Sequence, residues 1–145
     1  MTNPTAMKFG FPDTVVAETG CWLVLVRPQQ PALGSLVLVC KEPIKAFADA
    51  SPQAFAELKG AITAIEATLT AFTAYQRINY LMLMMVDPDV HFHVIPRHET
   101  TRTFGGRTFT DAGWPGPPAL GQAVAMEGEA LEALVAAIRE VWAEA

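Results

Sequence analysis

Hydrophobic and polar positions along the chain change period several times, and each change marks an element. Residues 21–26 and 35–40 are near-continuous apolar runs, the pattern of strands buried on both faces. Residues 14–18 read as a shorter strand, and Thr19-Gly20 as the turn after it. Between the two apolar runs, Pro28 and Pro31 interrupt pairing because proline has no amide to donate to a ladder. Ser51-Pro52 is a helix start, with a capping hydroxyl followed by a residue suited to the first helical position. From there Phe55, Leu58, Ile62, Ile65, Leu69 and Phe72 recur at spacings of three and four. That is a single apolar stripe on a helix of about five turns, read as core packing.

Residues 77–86 predict a second long strand, which Asp87-Pro88 must end. From Asp89 the alternation is strict: Asp89, His91, His93 and Ile95 point one way, and Val90, Phe92 and Val94 the other. Period-two alternation marks a half-buried strand. If residues 86–89 form a tight connection, Met84 faces His91 and Met82 faces His93. The methionines, Met85 among them, would then wall that face with adaptable surface, unless they simply form a buried cluster. Residues 98–120 are polar and rich in glycine and proline, with Arg102, Arg107 and Trp114 the notable members. A long irregular segment in a compact domain is usually functional or disordered. This one leaves directly from the histidine strand and would reach over it. Its two arginines would meet a polyphosphate there, or remain solvated surface charges. Leu131, Leu134, Val135, Ile138, Val141 and Trp142 form the stripe of a C-terminal helix, which packs on the domain or on a second subunit. Residues 1–13 carry no signal beyond a turn at Pro12-Asp13.

Together these elements predict one α+β domain over residues 1–145. It has an antiparallel sheet of about five strands (14–18, 21–26, 35–40, 78–86 and 89–95), a long central helix and a C-terminal helix. A chain of 145 residues with 51% hydrophobic and 17% charged positions is globular and large enough for a real core. A net charge of −5 argues against non-specific nucleic-acid binding, which needs a basic face. No apolar run reaches the roughly 18 residues of a membrane span, and the N-terminus lacks the apolar core of a signal peptide. Cys21 and Cys40, the two cysteines, lie in apolar runs and read as buried free thiols of a cytoplasmic protein.

All three histidines, His91, His93 and His98, fall within eight positions. His91 and His93 share a strand face, roughly 6–7 Å apart. Three readings follow. The pair has no role beyond the surface; or it binds a metal, with Asp89, His98 and Glu99 as the nearby further ligands; or a neutral imidazole attacks phosphorus while its neighbour handles a proton.

Residues 89–97, Asp-Val-His-Phe-His-Val-Ile-Pro-Arg, resemble the motif of the histidine triad (HIT) superfamily, three histidines alternating with apolar residues and often followed by Pro-Arg. The last two histidines, the apolar positions and the Pro-Arg match; Asp89 stands in place of the first histidine. The resemblance runs over about residues 10–97, including the strand, Pro-containing loop, Gly34 and strand of residues 21–40. It implies a HIT-like fold, a cytoplasmic homodimer, and hydrolysis or transfer at the α-phosphorus of a nucleotide derivative such as a dinucleoside polyphosphate or nucleoside phosphoramidate. It implies no metal and no cofactor, and a small-molecule nucleotide as partner. The middle histidine, here His91, would be the nucleophile forming a transient nucleotidyl-imidazole, and His93 would bond a phosphoryl oxygen or the leaving group. Arg27 falls where members often carry a ribose-binding asparagine, Ser35 where many carry histidine, and Met85 about where many carry a phosphate-contacting glutamine. Arg27, Asp89 and Arg97 are the candidate substrate-binding residues. Asp89 would keep the orienting backbone carbonyl of the first triad position, and Asp89→His is expected to be tolerated. The alternative is a nucleotide- or metal-binding protein with little turnover.

Overall fold

The computed structural model describes residues 3–144. In chain order the elements are α1 (Pro4–Lys8), β1 (Val15–Glu18), β2 (Trp22–Val26), β3 (Gln29–Gln30) and β4 (Leu36–Cys40), then a single 3-10 turn (Phe47–Asp49). There follow α2 (Pro52–Thr73), β5 (Arg77–Leu81), β6 (His91–Arg97), β7 (Arg102–Phe104), β8 (Arg107–Phe109), β9 (Val124–Ala125) and α3 (Gly128–Glu144). Five strands form one antiparallel sheet in the order β1-β2-β4-β6-β5, as the alternation and short turns predict. The histidine strand therefore lies inside the sheet, between β4 and β5.

Each face of the sheet has its own cover, and period two decides which residue meets which. Trp22, Val24, Val26, Leu36, Leu38 and Val94 face Ile65 and Leu69 of α2 and Leu134 and Ile138 of α3. Leu23, Leu25, Val37 and Val39 point the other way, under Ala6 and Phe9. Full burial of each such side chain stabilises the fold by about 1.5–3 kcal/mol. The indole of Trp22 loses no hydrogen bond on burial, because Nε1 donates to the Ala54 carbonyl at 2.8 Å.

The capping signals of α2 hold. Ser51 Oγ accepts from the Ala54 amide at 3.1 Å, and Pro52 opens the helix. At the far end Ala74 turns left-handed, and Arg102 donates to the freed carbonyls of Thr73 and Ala74. The stripe, however, is rotated from the predicted one. Ala54, Ala61, Ile65, Thr68 and Leu69 are buried, whereas Phe55 is 43% exposed and packs against Phe47. Small residues at 54 and 61 let the helix backbone close on the sheet, which moves the bulkier Phe55 to the flank. The α3 stripe packs on its own domain, against α2 and β1.

Three predicted features differ. β5 ends at Leu81, which pairs with His93, so residues 82–90 form a loop instead of a tight turn. Met82 and Met84 consequently are not ladder partners of the histidines: the register differs by one, with Leu81 opposite His93, and Met84, with a φ of 52°, lies in the loop and reaches the histidines only as part of the cleft wall. Residues 98–120 are less irregular than their composition suggests. β7 and β8 form a hairpin through Gly105-Gly106, whose φ values of 58° and 78° are those a type I′ turn requires. Finally, residues 3–8 carry an unpredicted helix. Asn3 Oδ1 accepts from the Ala6 amide at 3.0 Å and Pro4 opens α1. This is the same two-residue signal as Ser51-Pro52. Cys21 and Cys40 are buried and free, and no helix among the described residues is long and apolar enough to cross a membrane.

Candidate active site

Central placement leaves the histidine face of β6 little solvent: His91 is 2% and His93 8% exposed. They are not surface histidines. Their rings stand edge to face with centroids 5.2 Å apart. Phe9, delivered by α1, lies 5.7 Å from His93 in a T-shaped contact and 6.4 Å from His91.

Hydrogen bonds assign each ring its tautomer. His91 Nδ1 lies 2.6 Å from the Asp89 carbonyl oxygen. A carbonyl only accepts, so Nδ1 carries a proton, and in the neutral ring Nε2 keeps the lone pair. His93 is the reverse. Arg27 Nε donates to His93 Nδ1 at 3.4 Å, while Nη1 of the same guanidinium donates to the Gln29 carbonyl at 2.7 Å. A ring accepting at Nδ1 while neutral carries its proton on Nε2. Burial, with the neighbouring Arg27 charge and His91 ring adding to it, pushes the His93 pKa down to about 4. With both rings neutral, one imidazole therefore presents a lone pair and its neighbour an N–H.

A cleft of about 440 Å³ opens over this pair, within the range of small-molecule sites. Arg27 and Lys8 supply its positive charge, and Phe9, Leu83, Met84, Met85, Val86 and Leu120 its apolar walls. Lys8 Nζ and Asp87 Oδ2 pair at 2.9 Å, joining α1 to the 82–90 loop at the cleft. Met85, 87% exposed, and Val86, 81% exposed, leave much of that wall open to a ligand.

Of the candidates from sequence, His91, His93 and Arg27 meet at this cleft. Asp89 and Arg97 are not among its lining residues. Both Asp89 oxygens are engaged behind the histidines: Oδ2 accepts from the Thr5 amide and hydroxyl at 3.2 and 2.9 Å, and Oδ1 from Lys45 at 2.7 Å. Burial by itself would raise this carboxyl, but the donors from Lys45 and Thr5 outweigh it and hold it below the usual aspartate value. Arg97 lies at the other end of β6, 4% exposed, in a two-pronged pair with Asp111 at 2.7 and 3.0 Å. Arg102 caps α2, and Arg107 donates to the Ala125 carbonyl at 3.1 Å, so neither reaches the cleft. Among the described residues no group of three histidine, cysteine or acidic side chains is placed to hold a metal ion. Lys8, Phe9, Thr5 and Lys45 escaped the sequence reading. The Asn3-Pro4 cap was the available signal for the first three; Lys45 had none.

Similarity to known structures is consistent along the whole chain. A histidine triad protein from Sinorhizobium meliloti 1021 superposes with a TM-score of 0.74 at 23% identity, covering 97% of this chain and 95% of that one. A hypothetical histidine triad nucleotide-binding protein from Sulfolobus tokodaii gives 0.70 at 17% identity, covering 99% and 93%. A zinc-bound histidine triad family protein from Mycobacterium smegmatis gives 0.64 at 12% identity, covering 97% and 91%. The chain has the histidine triad fold. No protein-family model and no curated sequence matches it, so the likeness is carried by backbone geometry and by the short motif on β6. In this fold the motif's two histidines sit on a central strand facing the cleft, with Asp89 directly before them.

Proposed function

We propose that this protein is a histidine triad nucleotide hydrolase or nucleotidyl transferase, acting at the α-phosphorus of dinucleoside polyphosphates or nucleoside phosphoramidates. The observation that carries the reading is the pair of opposite tautomers, His91 with a free Nε2 and His93 with an N–H, at a cleft holding Arg27 and Lys8. The Nε2 lone pair of His91 forms a bond to phosphorus, and the bond from phosphorus to the leaving oxygen or nitrogen breaks. His93 donates a hydrogen bond to a non-bridging oxygen. An anionic phosphate beside it raises its proton affinity, so that His93 takes up a second proton from solvent as substrate binds and, as the imidazolium, passes it to the leaving atom and returns to the neutral ring. Water then attacks phosphorus, His91 departs as a neutral imidazole, and His93 takes up the proton. Arg27 stabilises charge on the non-bridging oxygens. Apolar walls from Phe9, Met84 and Leu120 suit a nucleobase and ribose. Among the described residues the zinc reading finds no group of three histidine, cysteine or acidic side chains to support it. A homodimer is the assembly we expect; because α3 packs on its own domain, the Trp114 loop and the outer edge of β5 are the surfaces we assign to pairing. Two buried free thiols suit a reducing cytoplasm.

Hydrolysis of a panel of dinucleoside polyphosphates and adenosine phosphoramidates tests the activity. His91→Ala is expected to remove nearly all turnover while adenosine monophosphate still binds, since the attacking atom goes and little binding surface does. His93→Ala should cost less, about 10²–10⁴-fold. An active His91→Ala protein, or turnover lost to chelators and restored by zinc, would refute the covalent route.

A further inference from the structure

Asp89 is held at both ends. Its backbone carbonyl takes the proton of His91 Nδ1 at 2.6 Å, while its carboxylate, 3% exposed, accepts three hydrogen bonds from Thr5 and Lys45. Thr5 sits on α1, and the same short helix leads into Phe9, whose ring packs against both imidazoles. The rest of this segment's hold on the sheet is the burial of Ala6 and Phe9 against Leu23, Leu25, Val37 and Val39, with Asn3 donating to the Cys40 carbonyl and Lys8 pairing with Asp87 at the surface. A buried carboxylate given three donors is well satisfied, and loss of those donors leaves it strongly destabilised. The Lys45 ammonium also neutralises a negative charge that would otherwise repel phosphate from the neighbouring cleft.

We propose that Asp89 is a positioning residue: its carboxylate, gripped by Thr5 and Lys45, latches α1 to the histidine strand and holds the carbonyl that sets the tautomer of His91. It does not touch substrate. Fixing the carbonyl keeps Nε2 of His91 unprotonated and aimed, and fixing α1 keeps Phe9 and Lys8 as one wall of the cleft. An aspartate does this where a histidine would not, because an imidazole cannot accept from both Thr5 donors and the Lys45 ammonium together. Asp89→His, which the motif alone would lead one to expect to be tolerated, therefore breaks the latch and lowers activity.

The kinetic part of this inference rests on the proposed hydrolase reading; the tautomer part does not. Imidazole nitrogen resonances of the full chain at neutral pH read the tautomer directly in wild type, Asp89→Ala, Asp89→Asn and Thr5→Val. Wild type should show His91 protonated on Nδ1 alone. Asp89→Ala and Thr5→Val should populate the other tautomer and weaken the ring-current shift of Phe9 on His93. Asp89→Asn, which keeps an acceptor for Thr5, should recover part of both. With adenosine 5′-phosphoramidate as substrate, kcat should fall on the order of 10²-fold in Asp89→Ala, with KM nearly unchanged. Should Asp89→Ala fail to fold, Thr5→Val carries the same test. An unaltered His91 tautomer and Phe9 shift in a folded Thr5→Val or Asp89→Ala protein would overturn the proposal. So would a raised KM at constant kcat, the mark of a substrate contact. Altered tautomers in a protein without phosphoramidate turnover would uphold the latch and refute the hydrolase reading instead.

Discussion

The two ends of β6 carry the same residue types and do opposite things. At the start, His91 and His93 lie beside Arg27, whose guanidinium finds only a neutral imidazole and one carbonyl. At the end, Arg97 and His98 lie beside Asp111, which takes two prongs from Arg97 and the amide of His98, while Asn79 takes a third arginine donor at 2.8 Å. His93 and His98 are both buried and both pushed down to about 4. What separates the ends is the supply of carboxylate. Where a buried carboxylate answers the arginine, charge is consumed by the fold. Where carboxylates are turned to other partners, as Asp89 is to Lys45 and the cleft-lining Asp87 is to Lys8, the Arg27 charge is left facing a cleft, and an anionic ligand can use it.

Breaking the closed end should have the largest effect on stability. Asp111→Ala leaves the Arg97 guanidinium buried without its partner and should cost about 3–5 kcal/mol in denaturant unfolding. Catalysis per folded molecule should survive, because the site lies at the other end. Loss of activity beyond the unfolded fraction would show the two ends to be coupled.

Acid acts on both ends. A histidine whose folded pKa is lowered binds its proton first in the unfolded chain, so stability is intact above about pH 6.5 and falls as pH drops toward 4. Each of His93 and His98 should contribute on the order of 3 kcal/mol to that fall. His98 Nε2 has no hydrogen-bond partner among the described residues, and His98→Phe should remove its share, flattening stability against pH by about half over this window. A profile unchanged from wild type would contradict the burial of His98 as a neutral ring.

The smallest effect belongs to the open end. Arg27→Met removes a guanidinium whose Nη1 donates only to a carbonyl, so stability should change little. Affinity for adenosine monophosphate should drop by about 1.5–3 kcal/mol, as for a hydrogen bond to a charged group. The His93 pKa should rise in the same variant, since the Arg27 charge is one of the causes holding it down; titration of its ring protons checks the sign.

Local patterns in the sequence determined most of the scaffold. Continuous apolar runs marked β2 and β4 as strands buried on both faces, Ser51-Pro52 opened α2, and the strict alternation after Asp89 put His91 and His93 side by side on β6. Those features depend on neighbours a few residues away, so they are legible in one dimension. Whether a charge is spent or available is not. Asp89 meets Thr5 84 positions away and Lys45 44 away, and Arg27 meets His93 66 away. The length of β5, the rotation of α2 about its alanines and the helix that brings Phe9 onto the histidines likewise came from packing between distant segments. Sequence alone named Arg27, Asp89 and Arg97 as equals. Only the tertiary structure gave Asp89 a lysine, Arg97 an aspartate and Arg27 the cleft, because desolvated charges take their roles from the partners that burial places beside them.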